Sequence, residues 1–229
     1  MVVHGMGHPS SPAVIAGRRR EEARPCKFPL TVGTVIHWRM PIADVDAAFD
    51  AVDRAEFLRP PDRAVADVDA PLAIGHGQTN SQPRTVRNML RLLEVAEGHR
   101  VLDVGSGSGW TAALLARLVG PSGSVLGVEL EPDLAAWGAE NLGRQDTPWA
   151  SIRPAIPDVL GIPDEAPFDR VLVSATARRL PDELIDQLTD DGIMVVPVGA
   201  AMTRVRRTGP DPGDVDITTH GSYSFVPLR

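Results

Sequence analysis

Five consecutive residues, Gly105-Ser106-Gly107-Ser108-Gly109, and Glu129, 24 residues beyond the first of them, carry the clearest chemical signal in the chain. They follow a short apolar run, Arg100 to Val104, and precede an Ala/Leu-rich stretch, Trp110 to Val119. A strand that feeds a glycine-rich turn and then a helix N-terminus lets a nucleotide-like ligand come close to bare backbone and its N–H donors. A carboxylate closing the next strand is placed to accept hydrogen bonds from both hydroxyls of a ribose. Glu129, with Leu130 beside it, occupies that place, and Asp103 offers a carboxylate for a ligand's amino group. The spacing disfavours two common cofactors. A nicotinamide dinucleotide fingerprint needs G-x-G-x-x-G, yet the third glycine falls one position early and Trp110 takes the sixth. A nucleoside triphosphate loop ends in Gly-Lys-Ser/Thr, and Gly109-Trp110-Thr111 has no lysine.

The elements that position these residues follow from the apolar periodicity. Asp44 is an N-cap for a helix carrying Val45, Ala48, Phe49 and Val52 to about Leu58, ended by Arg59-Pro60-Pro61-Asp62. A loop runs from Ala70 to Ser81. Ser81 is expected to cap the next helix, with Pro83 in its first turn, Val86, Met89, Leu90 and Leu93 on its apolar face, and Gly98 closing it. Strands are predicted at 100–104, at 124–128 ending on Glu129, at 170–174 and at 193–198. Helices are predicted over 110–119, from Pro132 with Leu134, Ala135 and Leu142, and from Pro181 with Leu184, Ile185 and Leu188. Strand and helix in alternation imply an α/β domain with a mainly parallel sheet covered on both faces. The tail, Arg204 to Arg207, Asp214 to Thr218 and Tyr223 to Val226, adds β-rich antiparallel edge strands.

Composition narrows the function classes. At 229 residues and 43% hydrophobic, the chain can bury a sizeable core. Its 23 Lys/Arg against 30 Asp/Glu give a net charge of −7, no field attractive to nucleic acid. No apolar run reaches the roughly 18 residues of a membrane span, and the N-terminus lacks a signal peptide's apolar centre, so a cytoplasmic protein is expected. Cys26, the single cysteine, leaves no internal disulfide and no multi-cysteine zinc cluster, and no metal is expected. Residues 1–40, rich in Gly, Pro and Ser with a short Arg18-Arg19-Arg20 run, read as an N-terminal extension ahead of a single domain at 41–229. His4 and His8 are four apart, but Gly5 and Gly7 oppose the helix that would make them a ligand pair.

Val101 to Gly109 resembles motif I of the S-adenosylmethionine-dependent class I methyltransferases, whose fold is Rossmann-like. Three further stretches resemble the protein-L-isoaspartate O-methyltransferases: Ile74-Gly75-His76-Gly77-Gln78-Thr79-Asn80-Ser81-Gln82-Pro83, then Ala166 to Val173, then Leu180 to Gly199. The ending Phe225-Val226-Pro227-Leu228 fits as well, so the resemblance covers about 41–229 in the family's order. It implies methyl transfer from S-adenosylmethionine to the α-carboxylate of an isoaspartyl residue in a damaged protein, after which the ester closes to a succinimide that opens partly to aspartate. Such a site is chemically plain. A carboxylate with a pKa of about 4 is already ionised at neutral pH and needs no general base. In-line placement, worth up to roughly 7–11 kcal/mol in intramolecular systems, is what the protein must supply. The resemblance assigns Ser81 and Thr79 to catalysis, with Gln78, Asn80 and His76 toward substrate, His76 chiefly as a loop former. Gly105, Ser106, Gly107, Ser108, Gly109, Asp103, Glu129, Leu130 and Asp158 face the cofactor. Ser174 and Ala175 lie at the carboxyl end of a central strand, where ligands bind in such sheets.

Two departures from the family pattern matter. Asn80 stands where an Ile is usual. Ala155-Ile156-Pro157-Asp158-Val159 replaces a Gly-Asp-Gly turn that helps hold adenine, so either Asp158 takes over through a shifted loop or adenine is held less tightly; Asp158 reads equally well as a plain turn residue. Three functions stay open: general repair of isoaspartyl proteins by a monomer, carboxyl methylation of one dedicated partner peptide, and a cofactor-binding relative without catalysis. A small-molecule methyltransferase is the fourth, since motif I is shared. Arg204, Arg206 and Arg207 read as an anionic-substrate patch or as solvent-facing strand residues.

Overall fold

Asp44 caps the first helix as its sequence requires: Oδ1 accepts from the N–H groups of Asp46 at 2.9 Å and Ala47 at 3.2 Å. The computed structural model describes residues 43–211 and 213–229. Helix α1, Val45–Ala51, is shorter than predicted, because Asp53 accepts from the Ala55 N–H and opens a separate 3-10 turn at Arg54–Phe57. A second 3-10 turn, Pro60–Val65, follows the proline pair. The predicted loop holds a small antiparallel hairpin, β1 (Leu72–Gly75) and β2 (Gln78–Asn80). Helix α2 is Pro83–Leu93.

The start and end of α2 correct the sequence reading. Ser81 makes no cap. The N-cap position falls on Gln82, whose side chain bonds Asp69 and Thr85 but caps no helix N–H, and Asp69 Oδ1 accepts from the Arg84 N–H at 2.9 Å. A carboxylate fifteen residues upstream thus satisfies the helix's orphan donor. The C-terminus is turned by Glu94 in a left-handed conformation, four residues before Gly98.

The main sheet contains β3 (Arg100–Val104), β4 (Ser124–Glu129), β5 (Ala150–Pro154), β6 (Phe168–Val173), β7 (Leu188–Val198), β8 (Ala201–Arg207) and β9 (Val215–Ser222). Helices α3 (Trp110–Val119), α4 (Pro132–Gly143) and the single turn α5 (Asp182–Ile185) lie between them. Strand order is β5-β4-β3-β6-β7-β8-β9, parallel through β7 and antiparallel beyond. Strand β5 has no counterpart in the prediction. The helix predicted through Leu188 stops at Ile185, and Leu188 already pairs with Phe168. Residues 189–192 then bulge opposite Asp169 before Ile193 pairs with Arg170. The expected strand at 223–226 is instead an irregular segment held by backbone bonds to Ala200 and to Thr176, the latter forming an isolated parallel bridge with Pro227 outside the main sheet.

Side chains alternate across the sheet as strand geometry demands. Val101, Leu172, Ile193 and Val195 face α1, α2 and α3, whereas Leu102, Val104, Val171, Val173, Met194 and Val196 face α5 and the Ile162 loop. Nine of α3's ten residues are buried, which explains why it is apolar around its circumference. The solvent-facing reading holds for Arg206, partly exposed on β8 in a surface ion pair, whereas Arg204 and Arg207 are largely buried and tied into the fold. Arg204 donates to the Leu92 carbonyl and pairs with Glu94, Arg206 pairs with Asp191, and Arg207 donates to the Leu188 and Pro210 carbonyls. Among the described residues, no helix is long and apolar enough to cross a membrane. Cys26, His4, His8 and the Arg18–Arg20 run lie outside the described residues.

Candidate active site

Strand order reverses between β3 and β6: from β3 the chain winds outward to β5, then returns to lay β6 on β3's other side. In open α/β sheets a crevice forms at such a switch point, beyond the carboxyl ends of the strands. A cavity of about 590 Å³ lies there, within the range of small-ligand sites. Its walls come from the glycine turn, the end of β4, the hairpin, the 155–161 loop, the end of β6 and the segment 226–229.

The turn is shaped for close approach rather than for anion binding. Its Gly105 and Ser106 N–H groups donate to the Val128 carbonyl, Gly107 N–H to Glu129 Oε2 at 2.9 Å, and Gly109 N–H to the Ser106 carbonyl. These donors are therefore not available to a phosphate, which agrees with the exclusion of nucleotide phosphates from spacing alone. Helix α4 lies directly on the turn. A Cβ on Gly138 would sit 2.6 Å from the Gly107 carbonyl oxygen, and one on Gly109, whose φ is +90°, 2.7 Å from that of Gly138.

Two carboxylates flank the turn and differ in environment. Glu129 reaches the cavity wall, its Oε1 accepting from the Glu131 N–H at 3.0 Å, so backbone donors orient it from two sides. Asp103 is fully buried behind the wall. Thr111 Oγ1 donates to its Oδ2 at 2.7 Å, while Oδ1 has no hydrogen-bond partner. Burial pushes the Asp103 carboxyl up to about 7.

The predicted residues converge on this cavity. Gln78, Thr79, Asn80 and Ser81 line one side, Ser106, Ser108, Glu129 and Leu130 the other, and Ser174 and Ala175 the floor at the end of β6. Ile74 packs over the turn, its Cδ1 3.1 Å from where a Cβ on Gly107 would be. Asp158, exposed on the rim, is the third residue of a turn in which Val159 N–H donates to the Ile156 carbonyl. Pro157 in second place and a φ of +63° at Asp158 make it a type II turn. His76 stands outside the wall. With φ +54° it forms the hairpin tip and lies 3.6 Å from Glu131 and 3.9 Å from Asp133.

Some lining residues carried no readable signal. Trp110 closes the inner end, packed edge-on against Phe49 at 5.5 Å with the Arg54 guanidinium 5.2 Å from its ring centre. Val226, Pro227, Leu228 and Arg229 form a wall because Thr176 N–H donates to the Val226 carbonyl and Leu228 N–H to that of Thr176. Their apolar ending was visible in sequence; its destination depends on a pairing with Thr176, 51 residues before Pro227.

A mainly parallel seven-stranded sheet with a glycine turn after β3 and antiparallel strands at its C-terminal edge is the class I methyltransferase fold. A profile of the protein-L-isoaspartate(D-aspartate) O-methyltransferase family matches residues 39–229, and the chain belongs to that family. Among its relatives, the protein-L-isoaspartate O-methyltransferase of Methanopyrus kandleri is 42% identical over 182 residues, 77% of this chain and 79% of the relative. That of Anaeromyxobacter dehalogenans is 46% identical over 186 residues, 79% and 87% of the two chains. A Plasmodium falciparum structure bearing the same enzyme name, in complex with S-adenosyl-L-homocysteine, superposes with a TM-score of 0.69 at 25% identity, covering 81% of this chain and 89% of that one.

Proposed function

We infer that the chain is an S-adenosylmethionine-dependent O-methyltransferase that esterifies the α-carboxylate of L-isoaspartyl residues in damaged proteins. Family membership carries this reading, together with a cavity whose donors and acceptors suit that cofactor. Glu129, on the cavity wall, offers an acceptor for ribose hydroxyls, and Asp103, buried behind the wall, contributes the field of its carboxyl rather than a direct bond. The glycine turn, with the N–H groups of Gly105, Ser106, Gly107 and Gly109 engaged within the protein, suits a ligand without phosphates. When bound, S-adenosylmethionine supplies a methyl group on a sulfonium leaving group, transferable to a carboxylate oxygen without a base.

The remaining roles belong to the protein. Ser81 and Thr79 orient the substrate carboxylate, with Gln78 beside them; Gly105, Ser106, Gly107, Ser108, Gly109, Leu130 and Asp158 enclose the cofactor; and the 226–229 segment narrows access of water. Asn80 departs from the family's Ile, yet its side-chain amide is engaged by Arg54 and Ser108, so the departure does not argue for a different substrate. We further read residues 41–229 as the catalytic domain of a cytoplasmic monomer that acts on protein or peptide substrates and engages neither nucleic acid nor membrane. The net charge of −7 supports the exclusion of nucleic acid.

The test is transfer of labelled methyl to two peptides that differ only in isoaspartate against aspartate. Base-labile label on the isoaspartyl peptide alone, reduced in Ser81→Ala, is expected. No label on either peptide overturns the repair reading and favours a dedicated partner peptide or a cofactor-binding protein without catalysis.

A further inference from the structure

Arg54 is 6% exposed, and all its hydrogen bonds run to uncharged oxygens. Nε donates to Asn80 Oδ1 at 2.7 Å; Nη1 to the carbonyls of Ala66 at 2.9 Å and Val68 at 3.0 Å; Nη2 to those of Ala70 at 2.9 Å, Asn80 at 3.3 Å and Ser81 at 3.0 Å. Burying a cation is expensive, and desolvation, only partly offset by the charge of nearby Asp69, pulls the Arg54 pKa down to about 10, still charged at any physiological pH. A planar fork of five donors is the side chain that can gather this many carbonyls from one point.

It joins one bank of the cavity, Asn80 and Ser81, to the loop 66–70, which does not itself line the cavity. The loop 66–70 and the segment Asn80–Ser81 are drawn to the same guanidinium, and Asn80 passes the constraint on by donating from Nδ2 to Ser108 Oγ at 3.1 Å in the glycine turn. In a trans peptide the C=O and N–H point oppositely. Anchoring the Asn80 and Ser81 carbonyls on Arg54 therefore turns the following N–H groups, those of Ser81 and Gln82, away from the guanidinium. Ser81 itself borders the cavity.

We propose that Arg54 is the positioning residue of the substrate subsite, fixing Thr79–Ser81 relative to the glycine turn through its shared bonds with Asn80. The proposal deepens the methyltransferase reading and rests on it for the identity of the substrate. Arg54 does not touch the reacting atoms. Its charge would stabilise a substrate carboxylate more than the charge-neutralising transition state, so its contribution falls mainly on substrate binding.

Arg54→Met, Arg54→Lys, Asn80→Ala and the Arg54→Met/Asn80→Ala double variant test it in the full chain. Three quantities are read: isoaspartyl-peptide KM, S-adenosylmethionine Kd by calorimetry, and hydrogen–deuterium exchange of residues 72–82. Arg54→Met is expected to raise KM by about tenfold or more and to speed exchange of 72–82, with cofactor Kd within about threefold of wild type. Arg54→Lys recovers part of KM, since charge is kept and the fork is lost. The double variant is expected to be no worse than Arg54→Met, because the two residues act as a unit. Unchanged KM and exchange, or a cofactor Kd weakened as much as KM, overturns the proposal. If Arg54→Met does not fold, Asn80→Ala alone decides, with a smaller KM rise and faster exchange expected, and no change in either counting against it. Should wild type fail to methylate the peptide, the repair reading fails, and the exchange data still test the role of Arg54.

Discussion

The Thr111 hydroxyl and the Asp103 carboxylate meet at 2.7 Å through Oδ2, leaving Oδ1 buried without a partner. Because burial pushes this carboxyl up to about 7, the folded chain holds a proton there that the unfolded chain releases near pH 4. The stability attributable to Asp103 is therefore complete below about pH 4, falls as pH rises, and is lost above about pH 7. Denaturant unfolding between pH 4 and 8 should show a shallower decline in Asp103→Asn than in wild type. Parallel pH profiles for the two proteins would refute the assignment.

Cofactor affinity should depend on the same proton with the opposite sign. A ligand cation held in the cavity near Asp103 favours the ionised carboxylate, so binding near pH 6 releases a proton and tightens toward pH 8. Calorimetry in buffers of different ionisation enthalpy detects that proton. An observed enthalpy independent of buffer would place the ligand's amino group elsewhere.

Glu129 holds the glycine turn and the start of α4 together, through the Gly107 and Glu131 N–H groups. Replacing it with Ala removes two charge-assisted bonds and, on the proposed reading, the ribose acceptor. The expected result is a rise in cofactor Kd of about 10- to 100-fold, taking roughly 1.5–3 kcal/mol for a hydrogen bond to a charged group. Equilibrium binding measures it directly, and a Kd within twofold of wild type would exclude the role.

Ser81 and Asp69 separate function from helix capping. Since the Arg84 N–H is capped by Asp69, Ser81→Ala should depress methyl transfer while leaving Tm nearly unchanged, and Asp69→Ala should lower Tm. A loss of stability in Ser81→Ala comparable to that in Asp69→Ala would restore Ser81 as the cap.

Gly138→Ala inverts an ordinary rule. Alanine normally stabilises a helix interior by about 0.5–1 kcal/mol over glycine. Here its Cβ would sit 2.6 Å from the Gly107 carbonyl, so α4 or the turn must move. Overpacking of this kind typically costs about 1–3 kcal/mol. Thermal unfolding should show a lower Tm, and a raised Tm would mean that the turn yields freely.

The sequence made the central β3-turn-α3-β4 unit legible because a glycine cluster between two periodic apolar runs has few other readings. The hairpin was missed because β1 and β2 hold four and three residues and turn on Gly75-His76-Gly77, too short for alternation to show. Strand β7 was read from Ile193 onward, since Thr189-Asp190-Asp191-Gly192 is polar and bulged. Arg54 gave no signal because its acceptors are mostly backbone carbonyls, which every residue possesses. Asp69 was hidden for a related reason: its cap spans fifteen residues, and capping is readable only when it is local.

The cavity straddles the β3–β6 seam, where Val101 pairs with Arg170 and Val104 with Val173. Contacts this distant in sequence close large loops and form slowly compared with helices. The two banks of the site are thus made by separate stretches of chain and meet late. During refolding, helical ellipticity should return before ligand binding does, and the ability to capture S-adenosylmethionine becomes a clock that starts only when the two halves of the sheet have zipped together.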